Sequence, residues 1–463
     1  MTVLLSEVWL ALRDKRSRST SRASATPARS LGGVREGSHP SPNAPITERR
    51  YLWPLILVTS LFFLWAVGVN LNDILIPHLR GAFHLTDFQS SFVQVAFFGG
   101  YFLAAWPAGF IIERLGYQRG IVFGLLICAA GAFLFIPAAY IHVYYAFLLG
   151  LFIMACGQSF LEVSANPYVT FLGPTQTSER RLNLAQSFNA LGAVLTPIFG
   201  SALILARTHK LAAGANAATA EAAIVRLPYL IIVAIFLGMA LLIGLSHLPK
   251  ISEEAPADSD PIAAKHVLHF PHLLKGVAAQ FFYVGAQVGV ASFVIRFVEF
   301  SRPGTSDVQA ANYLKLHLLA FMIGRFGGSA FMKRFAPASM LATFAVGSLL
   351  SVTLILTSRG PAALAGIVLL GFFHSIMFPT IFALSIRHLG PATRKGSSLL
   401  VMSIIGGAIC PAIMGRISDA TNIQLAFLVP LICYCFVLYF GLRGYRPAAN
   451  LSEATGQHSP SAA

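Results

Sequence analysis

The chain has 463 residues, of which 56% are hydrophobic and only 11% are charged, and its mean hydropathy is +0.70. Soluble domains carry about a quarter of charged residues, so this composition excludes an ordinary soluble protein and indicates a polytopic membrane protein. The net charge of +15 lies largely in the N-terminal residues and beside the ends of apolar segments, a distribution that argues against nucleic-acid binding.

Residues 1–50, at the start of the chain, are rich in Ser, Arg, Pro and Ala. They lack the apolar core and cleavage site of a signal peptide, so we predict a disordered, basic cytoplasmic tail. Twelve apolar segments follow, and each is long enough for the about 20 residues that a membrane-spanning helix needs. They lie at 52–79, 90–113, 119–140, 144–171, 182–206, 227–247, 273–300, 309–333, 338–357, 361–387, 396–418 and 424–443.

A polar break, KISEEAPADSDPIAAKH (250–266), follows the sixth apolar segment. It divides the chain into two groups of six helices, predicted at 51–248 and 273–446, with a cytoplasmic linker at 249–272. The last residues, 447–463, resemble the N-terminal tail in composition and are predicted to be disordered. The predicted fold class is therefore all-α, with twelve transmembrane helices in two six-helix bundles.

The distribution of basic residues predicts the orientation, because Lys and Arg flank the cytoplasmic ends of membrane helices. The turn IPAAYIHVYY (136–145) has no Lys or Arg and is predicted to face outward, whereas the turn with Arg207 and Lys210 goes against the rule. With an even number of helices, both termini are predicted to lie in the cytoplasm of a cell-membrane protein. The basic residues of the cytoplasmic turns are Arg114, Arg119, Arg180, Arg181, Lys333, Arg334, Arg387, Arg394 and Lys395.

The two halves show weak internal similarity. PAGFIIERLG (107–116) and GRFGGSAFMKRF (324–335) each close an apolar segment with small residues before a charged turn. Small residues let membrane helices pack closely, and two halves with repeated hydropathy are typical of secondary transporters.

Two carboxylates, Asp73 and Glu162, fall inside apolar segments. An ionisable group in a membrane helix is costly and is a candidate functional residue by default. Gln158, Glu162 and Asn166 recur at a spacing of four residues, so they form one helix stripe that must face protein or water rather than lipid.

Amides on other segments extend this polar set. Asn70 shares a face with Asp73, and amides suit neutral polyhydroxyl ligands because they both donate and accept hydrogen bonds. Aromatic rings such as Phe188 and Tyr283 can stack on the apolar face of a sugar. The alternative, that these groups only tie helices together, stays open for each single amide. The candidate substrate-binding residues are Asn70, Glu162, Gln186, Asn189, Gln280, Tyr283 and Gln287. Asn183 precedes Gln186 and Asn189 at the same spacing of three residues that separates those two.

The acids have a further predicted role. A carboxyl group in a low-dielectric cavity ionises less readily than in water, so it can load a proton from one side and release it to the other. A proton also carries charge through the membrane potential, worth about 2.3 kcal/mol per 100 mV. We therefore predict that Asp73 and Glu162 are proton-coupling residues.

Four stretches of the chain resemble one known family. NLNDILIP (70–77), LEVSANPYVTFLGP (161–174), RLNLAQSFNALGA (181–193) and GAQVGVASFVIRF (285–297) are similar to motifs of the L-fucose–proton symporter family of the major facilitator superfamily. The resemblance covers about residues 51–446. It implies a two-bundle fold with alternating access.

The resemblance also implies roles for single residues. Asp73 matches the acid tied to proton coupling in the first helix, and Glu162 matches the acid tied to both sugar and proton. The cavity amides that contact or orient the sugar are matched by Asn70, Gln186 and Asn189.

The second half departs from the fucose carrier. That carrier has Trp where this chain has Ala291, and Gln-Tyr where this chain has Met377 and Phe378. SIMFPTIF (375–382) instead resembles the glucose/galactose branch, which typically has Gln where this chain has Glu162. The leading prediction is therefore L-fucose–proton symport, with a glucose/galactose carrier as the alternative. His374 is a further departure, either a pocket residue or a satisfied core histidine, and we favour the core histidine.

Other charges near helix ends are predicted to gate the transporter by bracing the two bundles in one state, with snorkelling to the membrane interface as the alternative. These candidate gating residues are Glu113, Arg114, Arg325, Arg416 and Asp419.

Several function classes lack their motifs. The chain has no G-x-x-x-x-G-K-[ST] loop and no H-E-x-x-H, which argues against a primary pump and against a metalloenzyme. Three histidines in HVLHFPH (266–272) and five cysteines without zinc-like spacing do not predict a metal site, so no cofactor is expected. The predicted partners are a small sugar, a proton and the lipid bilayer, and the chain is predicted to be a monomer. A non-transporting sugar sensor is the weaker alternative.

Overall fold

A computed structural model describes residues 44–82, 87–141, 143–211, 217–250 and 267–447. Within helices, the side chains at 71–91, 198–225 and 307–308 lie outside the description. Every regular element among the described residues is helical. Much of the predicted N-terminal tail, the centre of the predicted linker and the predicted C-terminal tail after residue 447 also lie outside the described residues.

The described residues of the first half form six α-helices, which follow the first six predicted segments in order. They are α1 (Leu52–Ala82), α2 (Asp87–Leu115), α3 (Tyr117–Ile141), α4 (Tyr144–Phe171), α5 (Ser178–Leu211) and α6 (Ala217–Leu245).

In the described part of the second half there are eight α-helices of differing length. They are α7 (Pro271–Ser301), α8 (Asp307–Phe331), α9 (Pro337–Thr357), α10 (Pro361–Phe373), α11 (Met377–Ser385), α12 (Thr393–Met402), α13 (Gly406–Ala420) and α14 (Leu428–Tyr439). α10 and α11 together fill the predicted tenth segment, and α12 and α13 fill the eleventh. The sequence predicted one unbroken helix in each case. The structure has turns at residues 374–376 and a 3-10 helix at Ser403–Ile405.

Ten of the described helical stretches are long and apolar enough to cross a membrane. The stretches formed by α5 and α8 are not among them, although both are long helices of the same array. Both carry polar side chains that are buried in the protein, such as Asn183, Gln186 and Arg325. The helix face that carries these side chains packs against protein, so it does not need to be apolar as a lipid-facing surface does.

Close packing inside the first half depends on glycines at the α3–α4 contact. A Cβ added to Gly131 would lie 2.5 Å from the Met154 nitrogen, and one added to Gly157 would lie 2.6 Å from the Cys128 nitrogen. Small residues of this kind let membrane helices approach each other. Large apolar side chains such as Leu241 (63% exposed) cover the outside of the array, where lipid would contact them.

The two halves meet along a seam, to which the first half contributes α2, α4 and α5 and the second half α8, α11 and α12. Phe188 of α5 contacts Phe326 of α8 edge-on, with ring centroids 5.6 Å apart. A Cβ added to Gly109 of α2 would lie 3.3 Å from the backbone oxygen of Arg394 in α12, so the backbones are close here. The seam therefore brings side chains far apart in sequence together.

Residues 44–50 belong to the predicted tail but are described in the structure, where a 3-10 helix covers Arg49–Tyr51. Thr47 Oγ1 donates a hydrogen bond of 2.5 Å to the carbonyl oxygen of Leu172, at the end of α4. The folded part of the chain therefore includes residues before the first predicted membrane segment.

Candidate functional site

Glu162 lies on α4 and is 9% exposed. One turn further along the helix, the fully buried Asn166 donates a hydrogen bond from its side-chain amide to the Glu162 carboxylate. Spacing of four residues places the two side chains on one helix face, as the sequence indicated. The acid is therefore buried against protein and is held by a side-chain amide donor.

Gln186 of α5 extends this contact to a second helix. Its Nε2 donates to Asn166 Oδ1 at 3.1 Å. The two amides are oriented head to tail, so each uses its carbonyl oxygen and its amide nitrogen in a different bond.

Arg325 of α8 continues the connection into the second half. Its Nη1 donates to the backbone oxygen of Gln186 at 2.8 Å and to Gln186 Oε1 at 3.1 Å. Its Nε donates to the backbone oxygen of Ser375 at 2.9 Å, in the turn between α10 and α11. We call Glu162, Asn166, Gln186 and Arg325 the polar chain.

The polar chain joins a buried acid to a buried base through two amides. Arg325 is only 5% exposed, and its guanidinium also lies over the ring of Phe321 at 4.5 Å. A buried charge is tolerated when it is paired and hydrogen-bonded. The hydrogen bonds run without a break from Glu162 in the first half to Arg325 in the second.

The seam has a second polar contact one turn away. Asn183 Nδ2 donates to Thr380 Oγ1 of α11 at 3.0 Å. The spacing of amides predicted Asn183 on the polar face of its segment, but no local pattern indicated Thr380, because the two residues are 197 positions apart.

Predicted residues also lie on α7, which packs against α8, α11 and α12 of the seam. Gln280 and Tyr283 are both fully buried, and among the described residues neither amide atom of Gln280 has a hydrogen-bond partner. The Tyr283 ring lies 6.4 Å from that of Phe378, and its hydroxyl lies beside Arg325 without a hydrogen bond of good geometry. Buried polar atoms without partners are candidates for contact with a ligand or water.

Three other predicted substrate residues, Asn70, Asn189 and Gln287, are half-buried and are not joined to the polar chain by a described hydrogen bond. Asn70 Nδ2 donates to the Ala66 oxygen of its own helix at 2.8 Å, and Asn189 Nδ2 donates to the Phe62 oxygen at 3.2 Å. The side chain of Asp73 lies outside the described residues.

The predicted gating residues occupy three places. Glu113 is paired with Lys395 across the seam at 3.2 Å, and Arg114 beside it is exposed. Arg325 lies within the polar chain. Arg416 and Asp419 are exposed near the end of α13.

Sequence reasoning missed a second ion pair across the seam. Glu179 of α5 is fully buried and lies 2.5 Å from Arg387, which follows α11. Next to it, the backbone oxygen of Arg180 accepts a hydrogen bond from Ser329 of α8 at 3.2 Å. The available signal was an acid beside basic residues in a predicted turn. We call this part of the seam, with the Glu113 and Glu179 ion pairs, the Glu179 end.

His374 begins the turn between α10 and α11 and is 1% exposed. Its Nδ1 is 3.0 Å from the Tyr434 hydroxyl, and its ring lies edge-on to that of His317 at 5.0 Å. His317 was not singled out in the sequence. Among the described residues, no group of three or more His, Cys, Asp or Glu side chains is arranged to hold a metal ion.

Comparison with known proteins decides the family. Residues 57–404 match the family model described as Major Facilitator Superfamily. The chain belongs to the major facilitator superfamily. It is 42% identical over 418 residues to the L-fucose-proton symporter of Escherichia coli (strain K12), covering 87% of this chain and 95% of that protein.

A second relative and a solved structure are similar to the same extent. The chain is 42% identical over 401 residues to the glucose/galactose transporter of Brucella abortus biovar 1 (strain 9-941), covering 86% of this chain and 95% of that protein. A crystal structure of the transporter FucP in the outward conformation superposes with a TM-score of 0.79 at 42% identity, covering 86% of this chain and 99% of that one. The predicted family and the all-α polytopic transporter fold are confirmed.

Proposed function

We propose that this multi-pass membrane protein is a sugar–proton symporter, with L-fucose as its most fitting sugar. Relatives that are 42% identical are named L-fucose-proton symporter and glucose/galactose transporter. The observation that carries the proposal is the polar chain, in which a buried acid is linked through two amides to the opposite half.

The polar chain suggests how a proton acts on the site. The charged carboxylate of Glu162 attracts the Asn166 amide strongly, because hydrogen bonds to a charged acceptor are stronger than neutral ones. Protonation of Glu162 weakens that bond and makes the amides of Asn166 and Gln186 available to other partners. Sugar hydroxyls both donate and accept, so they can replace these contacts.

Sugar binding then acts on the contact between the halves. Gln186 holds Arg325 across the seam through two oxygens. A sugar that takes over the Gln186 side chain competes with one of these bonds. In this proposal the bundles at 51–248 and 273–446 rock about the site, and Glu113–Lys395 and Glu179–Arg387 close one end. Asp73 serves as a second proton-binding acid, both termini lie in the cytoplasm, and the chain acts as a monomer without enzymatic activity.

A glucose/galactose carrier is the second candidate, and a specific observation favours it. Phe378 lies 6.4 Å from Tyr283 at the site and has no hydroxyl group to bind a sugar. On α7, this chain has Ala291 at the position where the fucose carrier has Trp. Both positions differ from those of the fucose carrier.

The deciding experiment measures sugar-induced proton movement in proteoliposomes that contain the intact chain. L-fucose, D-arabinose, L-galactose, D-glucose, D-galactose and D-mannose are added in parallel to a weakly buffered outer solution. We expect alkalinisation outside with L-fucose and its close stereochemical relatives alone. Proton movement with glucose or galactose instead would establish the second candidate.

Two controls make the result specific. Empty liposomes report leakage, and proteoliposomes with Glu162→Gln report sugar effects that do not depend on the acid. No proton movement with any sugar, together with concentrative uptake of a sugar by another ion gradient, would contradict proton coupling.

A further inference from the structure

Arg181, one of the basic residues of the predicted cytoplasmic turns, is completely buried in the structure. Its guanidinium donates to backbone oxygens at the end of α4 and in the turn that follows, including Val169 at 3.1 Å and Pro174 at 2.9 Å. It also donates to Thr177 Oγ1 at 2.7 Å. A snorkelling side chain would keep its charged end in water, so this arginine has a different role.

The same guanidinium holds residues that precede the first membrane helix. Arg181 Nη1 donates to the backbone oxygen of Ile46 at 2.9 Å. Thr177 Oγ1 lies 3.3 Å from the backbone oxygens of Pro45 and Ile46, and Thr47 Oγ1 donates to Leu172. We call residues 45–48 the strap, because they lie across the α4–α5 turn.

Gly173 makes room for this arrangement. Its φ of +152° lies in a region that favours glycine, and an added Cβ would lie 2.8 Å from Arg181 Nη1 and 3.0 Å from the Thr47 Cα. Strap, turn and arginine therefore form one close-packed unit that tolerates no side chain at this position.

Arg181 also lies beside the residues that close the Glu179 end. The preceding residue, Arg180, accepts the bond from Ser329 through its backbone oxygen, and Glu179 forms the ion pair with Arg387. Asn183, two residues later, bonds to Thr380. The first turn of α5 thus has the strap on one side and three elements of the second half on the other.

We propose that Arg181 and the strap are positioning elements of a gate, which consists of the ion pairs and hydrogen bonds of the Glu179 end. They fix the first turn of α5 so that Glu179 and Arg180 meet the second half. Arg181 acts through its neighbours and touches no predicted substrate residue. Without the strap, the first turn of α5 has more conformational freedom, and the Glu179 end opens more often. The inference rests on the proposed opening of the seam but not on the identity of the sugar or on proton coupling.

The test measures opening of the Glu179 end directly. Ser329 is 4% exposed at the seam, so a cysteine there reports access from solvent. In proteoliposomes of Ser329→Cys/Cys435→Ser, the rate of alkylation by N-ethylmaleimide is measured without sugar. We expect Arg181→Gln to raise this rate about tenfold, within the range typical of coupling between sites. Arg119→Gln, at an exposed basic residue, is the matched control and leaves the rate unchanged.

Further variants keep the outcome clear if Arg181→Gln does not fold. Thr47→Ala and a chain that starts with Met before Glu48 remove strap contacts and keep the arginine, whereas a chain that starts before residue 44 keeps the strap. We expect faster alkylation in the first two and an unchanged rate in the third.

The variant Glu179→Gln separates two hypotheses: that the Glu179 end is a gate, and that the strap positions this gate. If Glu179→Gln raises the alkylation rate and the folded strap variants do not, the strap inference is wrong, whereas the hypothesis of a gate at the Glu179 end is supported. If Glu179→Gln also leaves the rate unchanged, the proposed gate and the strap inference both fail. Alkylation needs no sugar, so failure of the symport assay leaves this result interpretable.

Discussion

Arg325 of the second half donates from Nη1 to both the backbone oxygen and the side-chain Oε1 of Gln186 in the first half. Its Nε at the same time holds the Ser375 oxygen, in the turn that separates α10 from α11. One buried guanidinium therefore connects the Gln186 amide with a break in a helix of the other bundle. This geometry needs the planar donor set of arginine, which a lysine cannot reproduce.

The first prediction concerns this guanidinium. Arg325→Lys keeps the positive charge but loses the forked donors, so we expect concentrative sugar uptake to fall by about tenfold or more. Uptake into proteoliposomes under an imposed proton gradient checks it. Arg296→Lys, at an exposed arginine on α7, is the matched control and is expected to retain uptake. Equal uptake by both variants would contradict a role for the fork.

The acids Glu162 and Asp73 give the second prediction. Glu162→Gln and Asp73→Asn remove the proton-binding groups while keeping side-chain size, so uphill, proton-driven uptake is expected to disappear in both. Exchange of labelled sugar across the membrane at equilibrium is expected to survive in Asp73→Asn, because exchange needs no net proton movement. Glu299→Gln, at a half-exposed acid near the end of α7, is the control. Unchanged concentrative uptake in both acid variants would contradict the assignment of the two acids as proton-coupling residues.

The ion pairs at the Glu179 end allow a third prediction, because their burial differs. Glu179 is fully buried, whereas Glu113 is 42% exposed and its partner Lys395 is 26% exposed. Salt screens an exposed pair more than a buried one. We expect Glu179→Gln to change the apparent KM for sugar at every salt concentration, and Glu113→Gln to have a smaller effect that vanishes at high salt. Uptake kinetics at low and high ionic strength distinguish them.

His374 and Tyr434 give a prediction about stability. Tyr434→Phe removes the partner of His374 Nδ1, and an unpaired buried group costs about 1–3 kcal/mol. A lower unfolding temperature of the purified protein in detergent is expected, with the sugar KM unchanged. A large change of KM at unaltered thermal stability would instead make His374 a pocket residue.

The aromatic wall formed by Tyr283 and Phe378 gives a prediction about sugar specificity. Phe378→Tyr adds a hydroxyl group at a position beside the Tyr283 ring, and one added hydrogen bond to a sugar is worth about 1 kcal/mol. We expect the ratio of kcat/KM for L-fucose over D-galactose to rise about fivefold, as that free energy implies. Phe382→Tyr, one turn further in α11 and fully buried, is the control. An unchanged ratio would show that this wall does not contact the sugar.

Much of the fold was predictable from local patterns. Long apolar segments predicted nearly every membrane helix, because each must satisfy its own backbone hydrogen bonds in lipid. The breaks at residues 374–376 and 403–405 were not predictable. The first is held by Arg325 from another helix, and Gly324 makes room for it, since an added Cβ would lie 2.5 Å from the Phe372 oxygen. Such a contact has no trace in the local sequence.

The candidate site likewise has a part that local patterns predicted and a part that they did not. The stripe of Gln158, Glu162 and Asn166 followed from helical spacing, and the structure puts all three side chains inside the protein. Arg325 was placed among the gating residues by sequence reasoning. Its position in the polar chain depends on how α8 crosses α5, which spacing within one helix does not report.

The sequence by itself determined that the chain spans the membrane many times, that it carries an acid and amides where lipid would not accept them, and which family its motifs resemble. The first two follow from composition and periodicity, which act within a single segment, and the third rests on the resemblance of four sequence motifs. Only the tertiary structure decided which of these groups meet across helices: Asn166 with Gln186, Gln186 with Arg325, Glu179 with Arg387, and Arg181 with the strap. Most of these partners lie on different helices, and their contacts depend on packing between segments that lie far apart in the sequence.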